Sequence, residues 1–329
     1  MELTFVPYGV FKERSSMNNF EHIIEDFICR KEFMLLHATA KTGKSMFALN
    51  LGLAVATGLD FLGMETMKGK VMYLQSELAD YALTQRIDLM LKGYPTEVYD
   101  HAQMNFLISS GRIRLDSNEG LNALKEKVKL EQPLLLIIDP LYDMHSKNED
   151  NANEMAPLLS NIREVAREFG CAVILIHHQG KKNEGYSTNA GHACRGSSAF
   201  ADVPDSSISL SRDREGHTLR GIFRNRPSLE DFRLKFDDKA LLFSPAVQIV
   251  KVKTRDKIIN ALKEEPLGLT KKSLISKLNG VNEGGSSFHP STIQKQLDSL
   301  RAQEIIEINP AHAIPTFILR SFEGRNLSP

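Results

Sequence analysis

Continuous apolar runs alternate with amphipathic segments through the first half of the chain. Runs typical of buried strands occupy residues 33–38, 70–77, 134–139 and 171–178, with a shorter one at 104–109. Segments with the apolar spacing of a helix occupy residues 45–58, 78–93, 121–132 and 153–170. Strand–helix alternation of this kind predicts an α/β fold in which helices cover both faces of a parallel sheet.

The pattern changes beyond residue 200. Shorter strand patterns at residues 206–212, 218–226, 232–237 and 240–244 predict antiparallel hairpins at an edge of the sheet. From about residue 254, three amphipathic helices precede a two-stranded ribbon pattern, which is the order of elements in a winged helix. The sequence therefore predicts an α/β domain at residues 1–250, with residues 1–19 as an N-terminal extension, and a winged-helix domain at residues 251–329.

Composition narrows the class of protein. The chain is 42% hydrophobic and 25% charged, which is ordinary for globular proteins. No apolar run reaches the ~20 residues that cross a bilayer, and the N-terminus lacks a signal-peptide pattern, so no membrane partner is expected. Three cysteines (Cys29, Cys171 and Cys194) lie far apart without metal-ligand spacing, which favours a reducing, cytoplasmic location.

Charge is distributed unevenly, although the formal net charge is zero. Residues 251–303 contain ten Lys and Arg against five Asp and Glu, so the remainder of the chain carries the opposite excess. This asymmetry indicates an anionic partner for the C-terminal part. A solvated, lysine-rich helical surface is an equally good explanation.

The stretch HATAKTGKS at residues 37–45 resembles a phosphate-binding loop with Ala38 in place of the opening glycine. It starts where a predicted strand ends and opens a predicted helix, which is the context that such a loop requires. The backbone at the start of that helix would bind ATP phosphates, Lys44 would reach the β- and γ-phosphates, and Ser45 would bind Mg²⁺. The expected nucleotide contacts are Ala38, Thr39, Ala40, Lys41, Thr42, Gly43, Lys44 and Ser45. Lys41 is either a second phosphate contact or a solvated charge on the loop rim.

Two acidic residues follow later apolar strands. Asp139 ends the run at 134–139, where ligands of open α/β sheets collect, and it is the second predicted Mg²⁺ ligand. Glu77 ends the run at 70–77 and is placed to orient or deprotonate an attacking water. An alternative interpretation of Glu77 is a helix N-terminal acid that the helix dipole favours.

The order of these motifs, followed by VILIHHQGKK and RGSSAFAD, resembles the RecA-like ATPases over residues 20–245. The AxxKxGKS form followed by LNLGLAVATG is similar to the branch that contains hexameric replicative helicases of the plasmid RepA type and related phage and mobile-element ATPases. The resemblance implies a Mg²⁺-dependent ATPase that assembles into a homo-oligomer, a hexameric ring, with single-stranded DNA in its central channel.

The resemblance also implies roles for individual residues. Glu77 matches the catalytic glutamate, and His177 and His178 match the sensor position, although a structural role is an alternative for these histidines. Arg224 and Arg226, alternating residues of a predicted strand, match a basic pair that reaches a neighbour's γ-phosphate. The alternative is that these arginines keep an edge strand soluble. Lys181, Lys182 and Arg195 lie in a polar, glycine-rich stretch that would face the DNA. A plain solvated loop is an equally good interpretation of this stretch.

The predicted winged helix offers a second nucleic-acid surface. Ile293, Leu297 and Leu300 share one face of its third helix, as in a recognition helix whose polar face enters a major groove. The expected duplex contacts are Lys271, Lys272, Lys295 and Arg301. Winged helices also dock proteins, and that alternative stays open.

Together these features predict an ATP-dependent DNA motor, a helicase or translocase from plasmid, phage or mobile-element replication. One alternative is a recombinase-like, filament-forming DNA-dependent ATPase. Another is a DNA-binding regulator in which ATP switches the oligomeric state without motor activity.

Overall fold

A computed structural model of the protein describes residues 5–17, 21–178, 197–246, 254–280, 290–309 and 314–319. The chain divides into two compact units. One unit is Phe20–Ile249, and the other comprises Met1–Asn19 together with Val250–Pro329.

The larger unit is built on a mixed sheet. Its strands are β1 (His22–Ile24), β2 (Ile28–Cys29), β3 (Phe33–Ala38), β4 (Val71–Gln75), β5 (Phe106–Ser109), β6 (Leu135–Asp139), β7 (Ala172–His178), β8 (Ser206–Asp213), β9 (Gly216–Phe223), β10 (Leu229–Asp237) and β11 (Leu242–Pro245). Among the described residues, nine of these strands form one sheet in the order β11-β10-β9-β8-β3-β7-β6-β4-β5. The six strands from β8 to β5 are parallel, and β9, β10 and β11 add antiparallel strands at the β8 edge.

Helices cover both faces of this sheet, as the sequence predicts. They are α2 (Lys44–Thr57), α3 (Asp80–Leu91), α4 (Thr96–Asn105), α5 (Asn118–Glu131), α6 (Ala152–Phe169) and α7 (Ala199–Asp202). Successive strand side chains point to opposite faces. In β3, Leu36 therefore packs in the core around α2, whereas Leu35 packs in the core around α6. The sheet is thus buried on both sides, which explains the continuous apolar runs of its parallel strands.

Glycines set the two ends of α2, the helix that follows the candidate phosphate loop. Gly43 precedes the helix with φ 99° and Gly58 follows it with φ 79°, both left-handed conformations that glycine adopts without steric cost. The Gly58 N–H donates to the Ala54 carbonyl, which closes the C-terminal turn. The local sequence therefore determines where this helix begins and ends.

Some elements differ from the predictions. The strand predicted at 104–109 begins only at Phe106, because the unpredicted helix α4 extends to Asn105. In α4 only Ala102 is fully buried, so its apolar stripe is too weak to recognise in the sequence. The strand predicted at 218–226 ends at Phe223, before the arginines at its C-terminal end.

The second unit contains helices and a small antiparallel sheet. Its elements are α1 (Tyr8–Met17), α8 (Thr254–Lys263), β12 (Leu269–Thr270), α9 (Lys271–Gly280), α10 (Pro290–Ala302), β13 (Ile306–Ile308) and β14 (Thr316–Leu319). The strands pair in the order β12-β14-β13. Its core residues include Ile258, Leu274, Ile293, Leu297 and Phe317. The three predicted helices and the ribbon are present, and β12 is an additional strand.

Within the part of the chain that the structure describes, no helix has the length and apolar character needed to cross a bilayer.

Cys29 and Cys171 are buried free thiols. Burial raises the pKa of each thiol to about 12, so both are unreactive core residues. Cys194 lies outside the described residues.

Candidate active site

The candidate site lies where four parallel strands end. The loop at residues 38–45 leaves the carboxyl end of β3 and enters α2, and the adjacent ends of β7, β6 and β4 carry the polar side chains singled out in the sequence. Carboxyl ends of parallel strands share one edge of a sheet, which is where open α/β sheets bind ligands. The topology therefore brings together residues that are as distant in sequence as Lys44 and His178, 134 positions apart.

Hydrogen bonds close the loop on itself. The Thr42 hydroxyl donates to the Thr39 carbonyl at 2.9 Å and lies 2.8 Å from the Thr39 hydroxyl. Lys41 and Gly43 have φ values of 64° and 99°. Ala38, by contrast, is a buried extended residue at the end of β3. The missing glycine is therefore at a position that needs no left-handed backbone, and the curled loop has the form of an anion-binding nest.

Lys44 is held at the centre of the loop. Its Nζ atom donates to the carbonyls of Ala38 and Thr39, both at 3.1 Å, and lies 3.2 Å from Nδ1 of His178. Burial lowers the pKa of Lys44, and the carboxylates of Asp139 and Glu77 oppose that shift. The ammonium group thus faces the end of β7 and the two acidic residues of the site.

Asp139 ends β6 as a buried carboxylate with two polar neighbours. It accepts hydrogen bonds from the hydroxyl of Tyr73 and from the side chain of Ser45. Burial raises the pKa of Asp139, while these two hydrogen bonds and the charge of Lys44 lower it. The Ser45 and Asp139 oxygens therefore lie together, and they are hard donors of the type that Mg²⁺ binds.

Glu77 lies in the turn after β4 with its side chain 49% exposed. The turn is clamped on both sides of it. The amide of Gln75 accepts from the Leu78 N–H at 2.8 Å and donates to the Leu78 carbonyl at 2.9 Å. The Ser76 hydroxyl donates to Asp143 at 3.0 Å. The backbone that carries Glu77 is thus constrained while its carboxylate faces solvent.

The two predicted sensor histidines point to opposite faces of the sheet, as consecutive strand residues must. His178 lies in the site, with Nδ1 facing Lys44 and Nε2 3.8 Å from the Glu77 carboxylate. His177 stacks on Phe200 at 4.0 Å, and its Nδ1 lies 3.7 Å from the Glu149 carboxylate. Of the pair, His178 is therefore the residue that contacts the loop.

The expectation that Arg224 and Arg226 project from one strand face is wrong, because β9 ends at Phe223. Arg226 is bound within its own chain. Its guanidinium pairs with Glu32 at 2.8 Å, donates to the Phe27 carbonyl and lies 3.8 Å from the Phe223 ring centroid. With its side chain only 9% exposed, Arg226 is a structural ion-pair partner. Arg224 is exposed and donates to a backbone carbonyl.

The predicted DNA contacts lie apart from this site or beyond the described residues. Lys181, Lys182 and Arg195 lie outside the described residues. In the second unit, Lys271 and Lys272 begin α9, and Lys272 and Arg301 are exposed. Lys295 lies in α10, and the structure describes its backbone only.

Sequence reasoning missed three residues that contact the site. Tyr73 donates to Asp139, and His217 lies 3.1 Å from the Thr42 carbonyl. Asn50 of α2 bonds the backbone of residues 241 and 243 next to the loop. The signal for Asn50 is a polar residue in the apolar helix LNLGLAVAT. Neither Tyr73 nor His217 has a local signal, because their partners are distant in sequence.

A family model for the AAA domain matches residues 11–184, more than half of the chain. The chain belongs to the AAA domain family. The matched segment of this AAA domain contains the loop with Lys44, the turn with Glu77, and Asp139 and His178 at two strand ends. The family assignment therefore covers the residues that converge in the structure.

The solved structure of another protein's ATPase domain is similar to this one. The TM-score is 0.53 at 17% sequence identity, over 73% of this chain and 97% of that one. At this identity the likeness is one of fold. This AAA domain therefore has the RecA-like architecture that the sequence predicts, with a mainly parallel sheet, flanking helices and antiparallel edge strands.

Proposed function

We propose that this AAA domain protein is a Mg²⁺-dependent ATPase that works on DNA as a homo-oligomeric motor of the helicase or translocase type. The observation that carries the proposal is the convergence of Lys44, Asp139 and Glu77 around one curled loop. Phosphoryl transfer to water requires a cation such as Lys44, a carboxylate such as Asp139 that can bind a metal ion, and an exposed carboxylate such as Glu77 that can act on the water.

The loop would bind the triphosphate through its backbone N–H groups and through Lys44. Ser45 and Asp139 would hold Mg²⁺ through their oxygens, with water completing the coordination shell. When bound, Mg²⁺ would supply positive charge that offsets the negative charge of the phosphates. His178 lies beside the Lys44 ammonium group, so its ring can register whether that side chain has moved to a phosphate.

Glu77 would act on the attacking water. Its carboxylate is exposed while its turn is clamped by Gln75 and Ser76, so it can accept a proton from a water without a change of backbone. Nε2 of His178 lies 3.8 Å from the Glu77 carboxylate, beyond hydrogen-bond distance, so a small movement of either side chain would let the ring orient the carboxylate. In the proposed reaction, that water attacks the γ-phosphate in line with the bond to the leaving ADP.

DNA as the partner is supported by the second unit. Its order of elements (α8-β12-α9-α10-β13-β14) is that of a winged helix, with α10 in the place of the recognition helix. Exposed Lys272 and Arg301 lie in the segment with the excess of basic residues. Duplex DNA would contact this surface, and single-stranded DNA would contact Lys181, Lys182 and Arg195 in a ring channel. The motor would act in the replication of a plasmid, phage or mobile element, and it would be located in the cytoplasm.

The decisive experiment measures ATP hydrolysis with and without single-stranded DNA, with the mass of the assembly determined in parallel. The proposal predicts DNA-stimulated hydrolysis by a closed oligomer that unwinds a forked duplex. Stimulated hydrolysis by filaments without unwinding would favour the recombinase-like alternative. Duplex binding that persists in a hydrolysis-deficient Glu77→Gln variant, without any motor activity, would favour the regulator.

Arg224 is the arginine that can serve a neighbouring subunit, because Arg226 is engaged with Glu32. Arg224→Ala is expected to lower kcat by about 10³-fold, and mixing it with Glu77→Gln subunits should restore part of the activity. Steady-state hydrolysis across mixing ratios measures the rescue. Arg220→Ala is the control. Arg220 is an exposed arginine of β9 that pairs with Asp231 of its own chain, so this variant should remain active on its own. Absence of rescue at every ratio would contradict a finger acting between subunits.

A further inference from the structure

The phosphate loop is contacted by a side chain from a strand far along the chain. Nε2 of His217, in β9, lies 3.1 Å from the carbonyl oxygen of Thr42, 175 residues earlier in the sequence. His217 is 4% exposed, so this hydrogen bond is shielded from water. The contact fixes a backbone group in the middle of the loop rather than a side chain at its rim.

Aromatic side chains hold the His217 ring in place. The ring meets Phe243 edge-on at 5.1 Å between centroids and Phe236 at 6.0 Å. Phe243 in turn packs edge-on against Phe47 of α2 at 5.6 Å. A Cβ added to Gly43 would lie 3.4 Å from the Phe243 ring, so the same cluster borders the loop directly.

Hydrogen bonds between the Asn50 side chain and main-chain groups couple this cluster to α2. The Asn50 side chain donates to the Leu241 carbonyl at 2.9 Å and accepts from the Phe243 N–H at 2.7 Å. The start of β11 therefore cannot shift relative to α2 without breaking two hydrogen bonds. His217 acts on the loop from a support that moves with the helix that the loop opens.

The protonation state of His217 follows from its contacts. A carbonyl only accepts, so Nε2 must carry the hydrogen in this bond. Nδ1 is buried and has no hydrogen-bond partner among the described residues. Burial lowers the pKa of His217, with the charge of Arg212 acting in the same direction. The residue is thus a neutral imidazole with one donor, which is committed to the loop.

We propose that His217 is a positioning residue for the phosphate loop, and this rests on the proposed function of that loop in binding a triphosphate. The peptide unit between Thr42 and Gly43 is planar and trans, so holding the Thr42 carbonyl towards β9 turns the Gly43 N–H to the opposite side. Loss of the bond would let this peptide reorient, and the loop would spend less time in its binding conformation. The apparent Kd rises in inverse proportion to the fraction of molecules whose loop is in the binding conformation.

The test compares variants of the full chain by calorimetric titration with the non-hydrolysable analogue AMP-PNP and Mg²⁺. His217→Gln and His217→Met have similar unbranched side chains, but only Gln has an N–H donor. His217→Phe keeps the ring and loses the donor. We expect the Met and Phe variants to bind about 5–20-fold more weakly, the weight of one shielded hydrogen bond, and the Gln variant to bind more tightly than Met.

A control and a stability measurement separate positioning from a purely structural role. His101→Phe, at a half-buried histidine that contacts Lys68, should bind as wild type does. A merely structural His217 would lower the thermal midpoint of the Gln and Met variants alike and leave their Kd values equal. Equal Kd values for these two variants would overturn this inference alone. No binding by wild-type protein would overturn the proposed function itself, and the inference with it.

Discussion

Lys44→Ala is expected to abolish ATP hydrolysis, with a loss of kcat of about 10²–10³-fold or more. Lys44 is the cation held inside the loop by the Ala38 and Thr39 carbonyls, and its charge lies near both Asp139 and Glu77. Alanine removes the positive charge that stabilises the phosphates as negative charge develops. Steady-state phosphate release at saturating ATP and Mg²⁺ measures the effect.

Lys41→Ala is the matched control, because it removes a lysine from the exposed rim of the same loop. It should lower kcat by at most a few fold, about 1 kcal/mol or less, as expected for a solvated charge. Should Lys41→Ala be as inactive as Lys44→Ala, Lys41 would be an essential phosphate contact. Wild-type turnover in Lys44→Ala would refute the assignment of the loop.

Glu77→Gln is expected to lower kcat by about 10²–10⁴-fold while the affinity for ATP stays near that of wild type. The amide has nearly the same shape as the carboxylate but cannot accept the proton of the attacking water. The clamp that Gln75 makes with Leu78 does not involve the Glu77 side chain, so the turn should keep its conformation. Single-turnover hydrolysis and an equilibrium titration with ATP separate the two parameters.

Asp80→Asn serves as the comparison for Glu77→Gln. Asp80 is an exposed carboxylate three residues further on, where it accepts a hydrogen bond from Ser110 at 2.6 Å. Its amide variant should retain kcat within about threefold, because Asp80 is exposed and its hydrogen bond goes to Ser110 rather than to Lys44, Asp139 or Glu77. A Glu77→Gln enzyme with unchanged kcat would show that another group activates the water.

The parts of the site that the sequence predicts are those with short-range signals. Apolar runs locate the buried strands. Left-handed glycines at positions 43 and 58 mark the two ends of α2. Lys44, Glu77 and Asp139 follow strand ends, so the rule that parallel strands present their carboxyl ends at one edge already places them together. The structure agrees, since burial and the nearby charges couple these three groups.

The two-residue period of a strand limits how many of the predicted sensor histidines can contact the loop. His177 and His178 are consecutive residues of β7, so only one of them can face α2 and the loop. The alternation alone could not tell which, because that depends on which face of the sheet α2 covers. Packing of α2 against one face and α6 against the other made His178 the neighbour of Lys44.

By itself the sequence determined the strand–loop–helix at residues 33–57 and the alternation of parallel strands and helices along the chain, because hydrophobic periodicity and glycine conformation act within a few residues. Only the tertiary structure decided that Arg226 pairs with Glu32, 194 residues away, and that His217 reaches Thr42. Both contacts depend on the placement of β9 two strands from β3. Strand order is set by the summed burial of whole faces, so no local pattern specifies which distant side chains become neighbours.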